Sequence, residues 1–340
     1  MTVDKKEFLL IGPGGIGCMG AFTIDYNKKV NCSIVVRRDY EKVKENGYTI
    51  DSIDYGKIDN WKPSNVFANV EAAANSGLKF DYVAVATKNI SDIVKVEELI
   101  EPIISENTVI ILIQNGFGID RPIIKKFPKN VCLSGVSHMG SHNDKGHIHH
   151  IQHDKLVISP FENPNLPTDV QVQAAKDFID IYANDKVTCI YFESAKWYRY
   201  RKLVYNATLN TTCALTGVDT GRLDACGGLE SIAVPAMKEV VAVASADGIT
   251  LPEDVVNLIC HGDDGDYFEP SMLVDVKKGN PIELEAILGS LLDTAEELKV
   301  PTPTLSLLYK LLQVVQFRLK EANGYVKLPE KRPISDKFYS

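Results

Sequence analysis

The sequence predicts an α/β protein in two parts: an N-terminal doubly wound, mostly parallel sheet and a C-terminal domain made entirely of helices. Three observations lead to this fold class. A short apolar strand (residues 8–11) runs directly into a glycine-rich turn and a helix (residues 16–26). Further apolar strands alternate with helical stretches up to residue 192, a pattern typical of parallel sheets. From residue 193 onward, amphipathic helical patterns replace the strand patterns.

Composition restricts the compartment and the partners. The 340 residues are 45% hydrophobic and 24% charged, which suffices for two domains with apolar cores. A net charge of −8 argues against nucleic acid or an anionic membrane as a partner. Seven scattered cysteines without a C-x-x-C pair are typical of a reduced compartment. With neither a leader segment nor a membrane-spanning stretch evident, we predict a cytoplasmic protein.

The glycine-rich turn (GPGGIG) has the form G-x-G-x-x-G between a strand and a helix. In a dinucleotide-binding, Rossmann-type domain, the first glycine makes the turn and the second lets the backbone approach the pyrophosphate. The third lets helix and strand pack closely. We therefore predict a bound dinucleotide, with a ligand-free glycine turn as the alternative. The predicted contacts are Gly12, Gly14, Gly15, Ile16 and Gly17.

The end of the next strand (residues 32–36) indicates which dinucleotide binds. Arg37 and Arg38 follow it, and their guanidinium groups suit the 2′-phosphate of NADP. An acidic residue at this point would instead hold the ribose 2′-hydroxyl of NAD, and Asp39 keeps that alternative open. Ordinary surface charge is a further explanation for the two arginines. We predict a preference for NADPH.

Two polar clusters follow later strands of the predicted sheet, at residues 81–86 and 108–113. The first contains Lys88 (TKN) and the second contains Asn115 (QNG). Each cluster alone is explained by a turn or a helix cap. Because ligands of such sheets bind at the carboxyl ends of the strands, we expect both clusters near the cofactor or substrate.

Six of the seven histidines lie between His138 and His153. We predict no metal site there. His147, His149 and His153 alternate with His150 and with apolar neighbours across a predicted hairpin, so the histidines should be divided between opposite faces. No cysteine and no H-E-x-x-H helix accompanies them.

Residues 196–215 predict a single helix that opens the second domain. Lys202, Asn206 and Asn210 recur on it at i, i+4 and i+8 and would share one face. Asparagine is unfavourable inside helices, so this row suggests donors aimed at a polar ligand, with a solvated face as the alternative. A helical domain behind a dinucleotide domain also implies a cleft where this helix begins. The predicted domains are residues 1–192, residues 193–325 and a tail of residues 326–340.

Two later segments look like helix starts. Residues 269–272 (EPSM) begin one helix. Asn280 as N-cap, Pro281 at the first helical position and Glu283 three residues past the cap predict a second helix from residue 281. On pattern alone both segments are structural. The amphipathic stretches of this half are residues 193–215, 229–247, 252–261, 270–279, 281–299 and 303–322.

Taken together, these residues resemble the ketopantoate reductase (2-dehydropantoate 2-reductase) family from Phe8 to about Leu319. The glycine motif is the least specific part of the resemblance. The Lys/Asn/Asn row and the spacing of twelve residues from Ser271 to Glu283 are much more specific. The remaining marks are Arg37, Lys88, Gln114-Asn115-Gly116, Pro270-Ser271-Met272 and Val300-Pro301-Thr302-Pro303.

The resemblance implies hydride transfer from NADPH to an α-keto acid, ketopantoate in pantothenate biosynthesis. Lys202 would donate the proton that the developing alkoxide needs and stabilise its charge. Asn206 and Asn210 would orient the substrate and Lys202. Ser271 would bind the substrate carboxylate, and Glu283 would bind a substrate hydroxyl and hold the lysine ammonium. The implied dinucleotide residues are Gly12, Gly14, Gly17, Arg37 and Lys88, with Asn115 between nicotinamide and substrate.

The chain departs from the family pattern at Phe268, where family members often have an asparagine three residues before the serine. An aromatic side chain there removes a hydrogen-bonding group, so the alternative is a reductase of the same fold acting on a bulkier or less polar ketone. A non-catalytic dinucleotide-binding protein is a further alternative, which the proton donor Lys202 disfavours. The helical half could also supply the interface of a homodimer.

Overall fold

The structure of the chain is a computed structural model, which describes residues 5–332. The chain divides into two compact units, the first extending to Tyr200 and the second beginning at Arg201. This division lies inside a helix, whereas the sequence predicted a boundary ahead of that helix, after residue 192. Part of the predicted tail, residues 333–340, lies outside the described residues.

The first unit alternates strands with helices. Its helices are α1 (Gly15–Tyr26), α2 (Tyr40–Asn46), α3 (Val70–Ala74), α4 (Val96–Ile100), α5 (Arg121–Lys126), α6 (Thr168–Tyr182) and the start of α7 (Ala195–Asn206). Its strands are β1 (Glu7–Ile11), β2 (Asn31–Val35), β3 (Tyr48–Ser52), β4 (Gly56–Trp61), β5 (Asn65–Phe67), β6 (Tyr82–Val85), β7 (Val109–Leu112), β8 (Cys132–Ser137), β9 (Ser141–Asp144), β10 (His147–His150), β11 (Lys155–Pro160) and β12 (Thr188–Tyr191).

The main sheet has eight strands in the order β12-β11-β8-β7-β6-β1-β2-β5. All neighbouring pairs are parallel except β11 with β8. Running outward in both directions from β1, the order is that of a doubly wound dinucleotide-binding fold. Phe8, Leu9 and Leu10 of β1 are fully buried, since a central parallel strand is covered on both faces. The predicted doubly wound, mostly parallel sheet is confirmed.

A second sheet, which the sequence analysis did not predict, has the order β4-β3-β10-β9. It joins the β3–β4 hairpin to the histidine-rich β9–β10 hairpin through parallel pairing of β3 with β10. The buried side chains Ile50 and Ile148 belong to one face of this sheet. On β10, His147 and His149 alternate with Ile148 and His150, so the first two lie together on the opposite face.

The second unit is helical, as the sequence predicts, and residues 201–332 contain no strand. Its last helix begins at Pro303 and ends at Ala322, as expected from the sequence. A short helix at Thr220 was not expected. After α7, the helices are α8 (Leu209–Thr216), α9 (Thr220–Ala225), α10 (Val234–Ala246), α11 (Val255–Cys260), α12 (Ser271–Lys277), α13 (Ser290–Glu297) and α14 (Pro303–Ala322), with π-helical segments at Leu229–Ala233 and Glu285–Gly289.

The prediction of one continuous helix over residues 196–215 is wrong. The helix breaks at Ala207 and Thr208, and Thr208 has φ −126° and ψ −79°. The Thr208 hydroxyl donates to the Val204 carbonyl at 2.6 Å, a local hydrogen bond of the kind that bends helices. Asn210 therefore lies on α8, and it does not continue the helical row of Lys202 and Asn206.

All seven cysteines lie within the described residues, and all are free thiols. Burial raises the pKa of Cys18, Cys32 and Cys132, so these three are inert packing residues. Among residues 5–332, no helix is both long and apolar enough to cross a membrane.

Candidate active site

The glycine turn between β1 and α1 shows why Gly12 and Gly17 are glycines and where the turn is open. Gly12 has φ +89°, and a Cβ there would lie 2.5 Å from the Thr87 side chain. A Cβ on Gly17 would lie 2.3 Å from the Gly12 carbonyl oxygen, so this glycine permits close contact of helix and strand. A Cβ on Gly14 would meet no atom within 4 Å. The space beside Gly14 is therefore open at the N-terminus of α1, where an anion is favoured.

Gly15 must be a glycine for a structural reason that the sequence motif did not reveal. A Cβ there would lie 2.2 Å from the carbonyl oxygen of Ser141, so β9 packs directly on the first turn of α1. Asn143, also on β9, donates to the Pro13 carbonyl at 3.3 Å and to the Asp39 carboxylate at 3.4 Å. The second sheet therefore forms one wall of the glycine turn.

The residues after β2 lie as the sequence predicts. Arg37 and Arg38 are exposed, immediately beyond the buried Val36. Asp39 is half-buried at the start of α2, and its carboxylate accepts from the Asn143 amide. The two guanidinium groups are thus available to solvent or ligand, while the acidic group already has a protein partner.

The two polar clusters at the strand ends are brought together. The Gln114 side chain donates to the Thr87 carbonyl at 2.8 Å and to the Thr87 hydroxyl at 3.2 Å. These residues follow β7 and β6, which are neighbours in the sheet. Lys88 is exposed and Asn115 is half-buried at this edge.

Arg199, which the sequence analysis missed, holds the loop that carries Asn115. Its side chain is 4% exposed and donates to the carbonyl oxygens of Gln114 (3.1 Å) and Gly116 (2.7 Å). Further hydrogen bonds reach the Leu112 carbonyl and the Ser134 hydroxyl. Burial lowers the pKa of Arg199 to about 10, so the guanidinium remains charged at neutral pH. No spacing rule distinguishes this arginine from its neighbours in the sequence.

The first unit has features that fit a dinucleotide. No protein atom lies within 4 Å of the position that a Cβ on Gly14 would take, so the turn is open where a pyrophosphate would approach. Two buried polar atoms in the same unit, Gln114 Oε1 and Ser141 Oγ, have no hydrogen-bond partner among the described residues. Buried polar atoms are normally paired, so their state is consistent with a ligand that supplies the missing partners.

In the second unit, Lys202 and Asn206 lie one turn apart on α7, as predicted. Lys202 is half-buried, and Asn206 is 8% exposed. Ser194 begins this helix by accepting from the Trp197 amide at 3.1 Å, a typical N-cap. At the other end of the helix, the Tyr205 hydroxyl donates to Asp263 at 2.7 Å.

Asn210 contacts Ser271, although 61 positions separate the two residues. The Asn210 amide nitrogen lies 3.4 Å from the Ser271 hydroxyl, and its oxygen accepts from the Met272 amide at 2.8 Å. Asn210 is 1% exposed and thus replaces the missing N-cap side chain at the start of α12, where Pro270 offers none. It positions Ser271, whose side chain is exposed.

Glu283 is buried, and the predicted capping box around it is wrong. The helix begins at Leu284, not at Pro281. The reason is Gln316 on α14, whose side chain accepts from the Ile282 amide at 2.8 Å and donates to the Ile282 carbonyl at 3.1 Å. These bonds hold residues 281–283 outside the helix and place Glu283, 4% exposed, at the helix start.

The loop that carries Phe268 is attached to α9. The Phe268 carbonyl accepts from the Thr220 amide at 3.0 Å, while its ring is 42% exposed. The neighbouring Tyr267 is 71% exposed, and the Arg222 guanidinium lies 4.8 Å from its ring centroid. The main chain is therefore fixed while two aromatic rings face outward, three and four residues before Ser271.

Comparisons with known proteins agree with this arrangement. The family model described as Ketopantoate reductase PanE/ApbA matches residues 8–163, and its C-terminal counterpart matches residues 194–316. An uncharacterized protein of Saccharomyces cerevisiae is 37% identical, over 96% of this chain and 98% of its own length.

Solved structures show the same fold. The crystal structure of 2-dehydropantoate 2-reductase from Methylococcus capsulatus is 28% identical with a TM-score of 0.79, over 92% of this chain and 97% of that one. A D-mandelate dehydrogenase, solved with NADH and anilino(oxo)acetate, also has a TM-score of 0.79 but is only 18% identical, over 92% and 99% of the two chains.

The fold and the glycine turn define a dinucleotide-binding α/β protein with a helical C-terminal domain. The chain belongs to the ketopantoate reductase (PanE/ApbA) family, whose members are oxidoreductases.

Proposed function

We propose that this protein is an NADPH-dependent reductase that converts ketopantoate, or a related α-keto compound, to the 2-hydroxy product. The observation that carries the proposal is the hydrogen-bonded contact of Asn210 with Ser271 and Met272. Two residues that the resemblance assigns to the substrate are thereby held together across 61 positions. The contact also caps α12, but a binding protein without turnover would not need the proton donor Lys202 that the resemblance assigns to the same site.

The chain's own residues have distinct tasks in this proposal. The dinucleotide supplies the hydride. The open turn at Gly14 receives the pyrophosphate, and Arg37 binds the 2′-phosphate through charged hydrogen bonds. Lys202 donates its proton to the substrate carbonyl oxygen as negative charge develops there, and its cationic form stabilises that charge.

The substrate is held by groups that the fold fixes in advance. Ser271 binds the carboxylate, and Asn210 limits the freedom of Ser271 by capping α12. Glu283, held at a helix start by Gln316, binds a substrate hydroxyl and supports the Lys202 ammonium. Asn115 contacts both ligands from a loop that Arg199 holds on either side of it, through the Gln114 and Gly116 carbonyls. Such prior positioning reduces the entropy cost of reaching the transition state.

A bulkier substrate is the second candidate. Phe268 and Tyr267 present exposed aromatic rings just before Ser271. The D-mandelate dehydrogenase of similar fold was solved with anilino(oxo)acetate, which carries an aromatic ring. That enzyme was also solved with NADH. In this chain, Asp39 is the acidic residue after β2 that could hold the ribose 2′-hydroxyl of NADH, which therefore stays an alternative cofactor.

One assay matrix tests these alternatives. The rate of NADPH or NADH oxidation is measured with ketopantoate and with alkyl and aryl α-keto acids and esters. We expect NADPH to be preferred, and a clear preference for ketopantoate would reject the bulkier-substrate candidate. The absence of turnover with every ketone would reject the reductase proposal.

We also propose that the protein forms a homodimer. Four apolar side chains on α14, each at least 43% exposed, form a row that a second copy could cover. Light scattering coupled to size-exclusion chromatography tests this directly, and a monomeric mass at micromolar concentration would contradict it. The row consists of Leu307, Leu311, Val314 and Phe317.

A further inference from the structure

The outer face of the second sheet carries a group of histidines that the proposed reductase chemistry does not use. In the strand register, His149 of β10 lies opposite His142 of β9 on one side and opposite Asp51 of β3 on the other. Paired residues of neighbouring strands point to the same face. His147, two positions before His149, belongs to that face as well. Asp144 of β9 lies opposite His147 and also belongs to it. Three imidazoles and two carboxylates therefore share one outward surface.

The side chains of this group are close enough to share an ion. His147 Nε2 lies 2.7 Å from Asp51 Oδ2. The ring centroids of His147 and His149 are 4.1 Å apart. One ligand atom each from Asp51, His147 and His149 all lie within 4.8 Å of one another. Around a tetrahedral zinc ion, ligand atoms are about 3.4 Å apart, so small side-chain rotations would complete the geometry.

The sheet beneath the group restrains it. Ile50 and Ile148 are fully buried and alternate with the three ligand residues on β3 and β10. Their packing fixes the two strands, and α1 contacts β10. On β4, Lys57 lies opposite Asp51 and has its ammonium 4.0 Å from Asp59. The Asp51 carboxylate meanwhile pairs with the His147 imidazole.

We propose that Asp51, His147 and His149 bind one divalent first-row transition-metal ion of the zinc class. Two imidazoles and one carboxylate are a donor set typical of such ions, and they leave positions open for water. His142, stacked on His149 with centroids 4.8 Å apart, is a candidate for a fourth position. The ion would join β3 to β10, whose ligands are 96 and 98 residues apart in the chain. The proposal does not depend on the reductase function.

The prediction of no metal here rested on the division of the histidines between two faces, and on the lack of a cysteine or an H-E-x-x-H helix. That division does separate the buried His150 from the others, but it leaves His147 and His149 together. The carboxylate that completes the set comes from a strand that the sequence analysis did not predict.

Zinc titration of the full-length protein tests the site. The protein is prepared without an affinity tag, freed of metal with a chelator, and titrated with zinc chloride by calorimetry. We expect one ion per chain, bound in the micromolar range or tighter, and a melting temperature that rises with zinc concentration. His149→Ala and Asp51→Ala should each weaken zinc binding at least tenfold and abolish the rise in melting temperature.

His261→Ala is the matched control. His261 forms an exposed ion pair with Asp264 at 2.8 Å, as His147 does with Asp51. Among the described residues, His261 belongs to no group of three possible metal ligands. This variant should bind zinc like the wild type. If either ligand variant does not fold, His147→Gln is tested in its place, because glutamine keeps a polar side chain at that position. Equal zinc affinity in the wild type and all ligand variants, or no saturable binding in the wild type, would overturn the proposal.

Discussion

Replacing Arg199 with methionine tests how the loop after β7 is held. Methionine keeps an apolar stem of similar reach but removes every donor. Arg199 is buried, and two of its acceptors, the Gln114 and Gly116 carbonyls, lie beyond the end of β7. The perturbation therefore leaves loop carbonyl groups without the hydrogen bonds that now satisfy them.

The magnitude follows from those acceptors. Leaving one buried acceptor unsatisfied costs ~1–3 kcal/mol, so two cost ~2–6 kcal/mol. Part of this is offset, because burying the guanidinium is itself unfavourable, as its pKa of about 10 shows against an ordinary value of 12.5. We expect the free energy of unfolding to fall by ~2–4 kcal/mol.

Urea unfolding followed by circular dichroism measures this loss. Arg201→Met, at a half-buried position on the same helix, is the control for the loss of a charged side chain. If Arg199→Met lowers the free energy of unfolding no more than this control does, the loop is held by other contacts. With folding intact, the Arg199 variant should also raise the KM for the ketone, since Asn115 sits in the loosened loop.

Three further predictions concern other described residues. Burial raises the pKa of Asp154 to about 7, above its value in the unfolded chain. Between about pH 4 and 7, the folded protein therefore binds a proton that the unfolded chain has lost. The free energy of unfolding falls as pH rises through that window. Between pH 5 and 8, the free energy of unfolding, measured with urea, should fall ~2–3 kcal/mol more in the wild type than in Asp154→Asn. Parallel pH profiles of the two proteins would contradict this. Arg37→Ala should weaken NADPH binding ~10–100-fold, through lost charged hydrogen bonds, and leave NADH binding unchanged. A fluorescence titration with both dinucleotides decides this, and equal losses for the two would reject the 2′-phosphate role. Asn210→Leu should cost ~1 kcal/mol of stability, because the Met272 amide loses its cap, and should raise the KM for the ketone. An unchanged KM in that variant would show that Asn210 caps α12 but has no role in substrate binding.

Local patterns in the sequence predicted the fold better than the site. The unit of β1, glycine turn and α1 was predictable because strand, glycine motif and helix follow one another directly in the sequence. The helix at residues 303–322 was predictable because Pro303 begins it and its leucines repeat at helical spacing. The second sheet was not, since the hairpin that contains β10 gives no local sign that it pairs with β3 about a hundred residues away.

In each misjudged part of the site, a buried polar side chain forms hydrogen bonds with backbone groups. Gln316 takes the backbone groups of Ile282, and this distant contact overrides a capping box that looked convincing locally. Thr208 bends the helix through its own hydroxyl, although neither proline nor glycine marks the break. Arg199 acquires its role only when the loop after β7 folds around it. Buried polar side chains with long-range partners leave no periodic trace in a sequence.

The proton-donor role of Lys202 is the central claim, and its replacement by alanine tests it most directly. With the best ketone from the substrate panel, we predict that Lys202→Ala lowers turnover ~10²–10⁴-fold while the Kd for NADPH stays unchanged. Lys196→Ala, an exposed position on the same helix, should retain wild-type turnover. Near-normal turnover in the Lys202 variant would contradict the account.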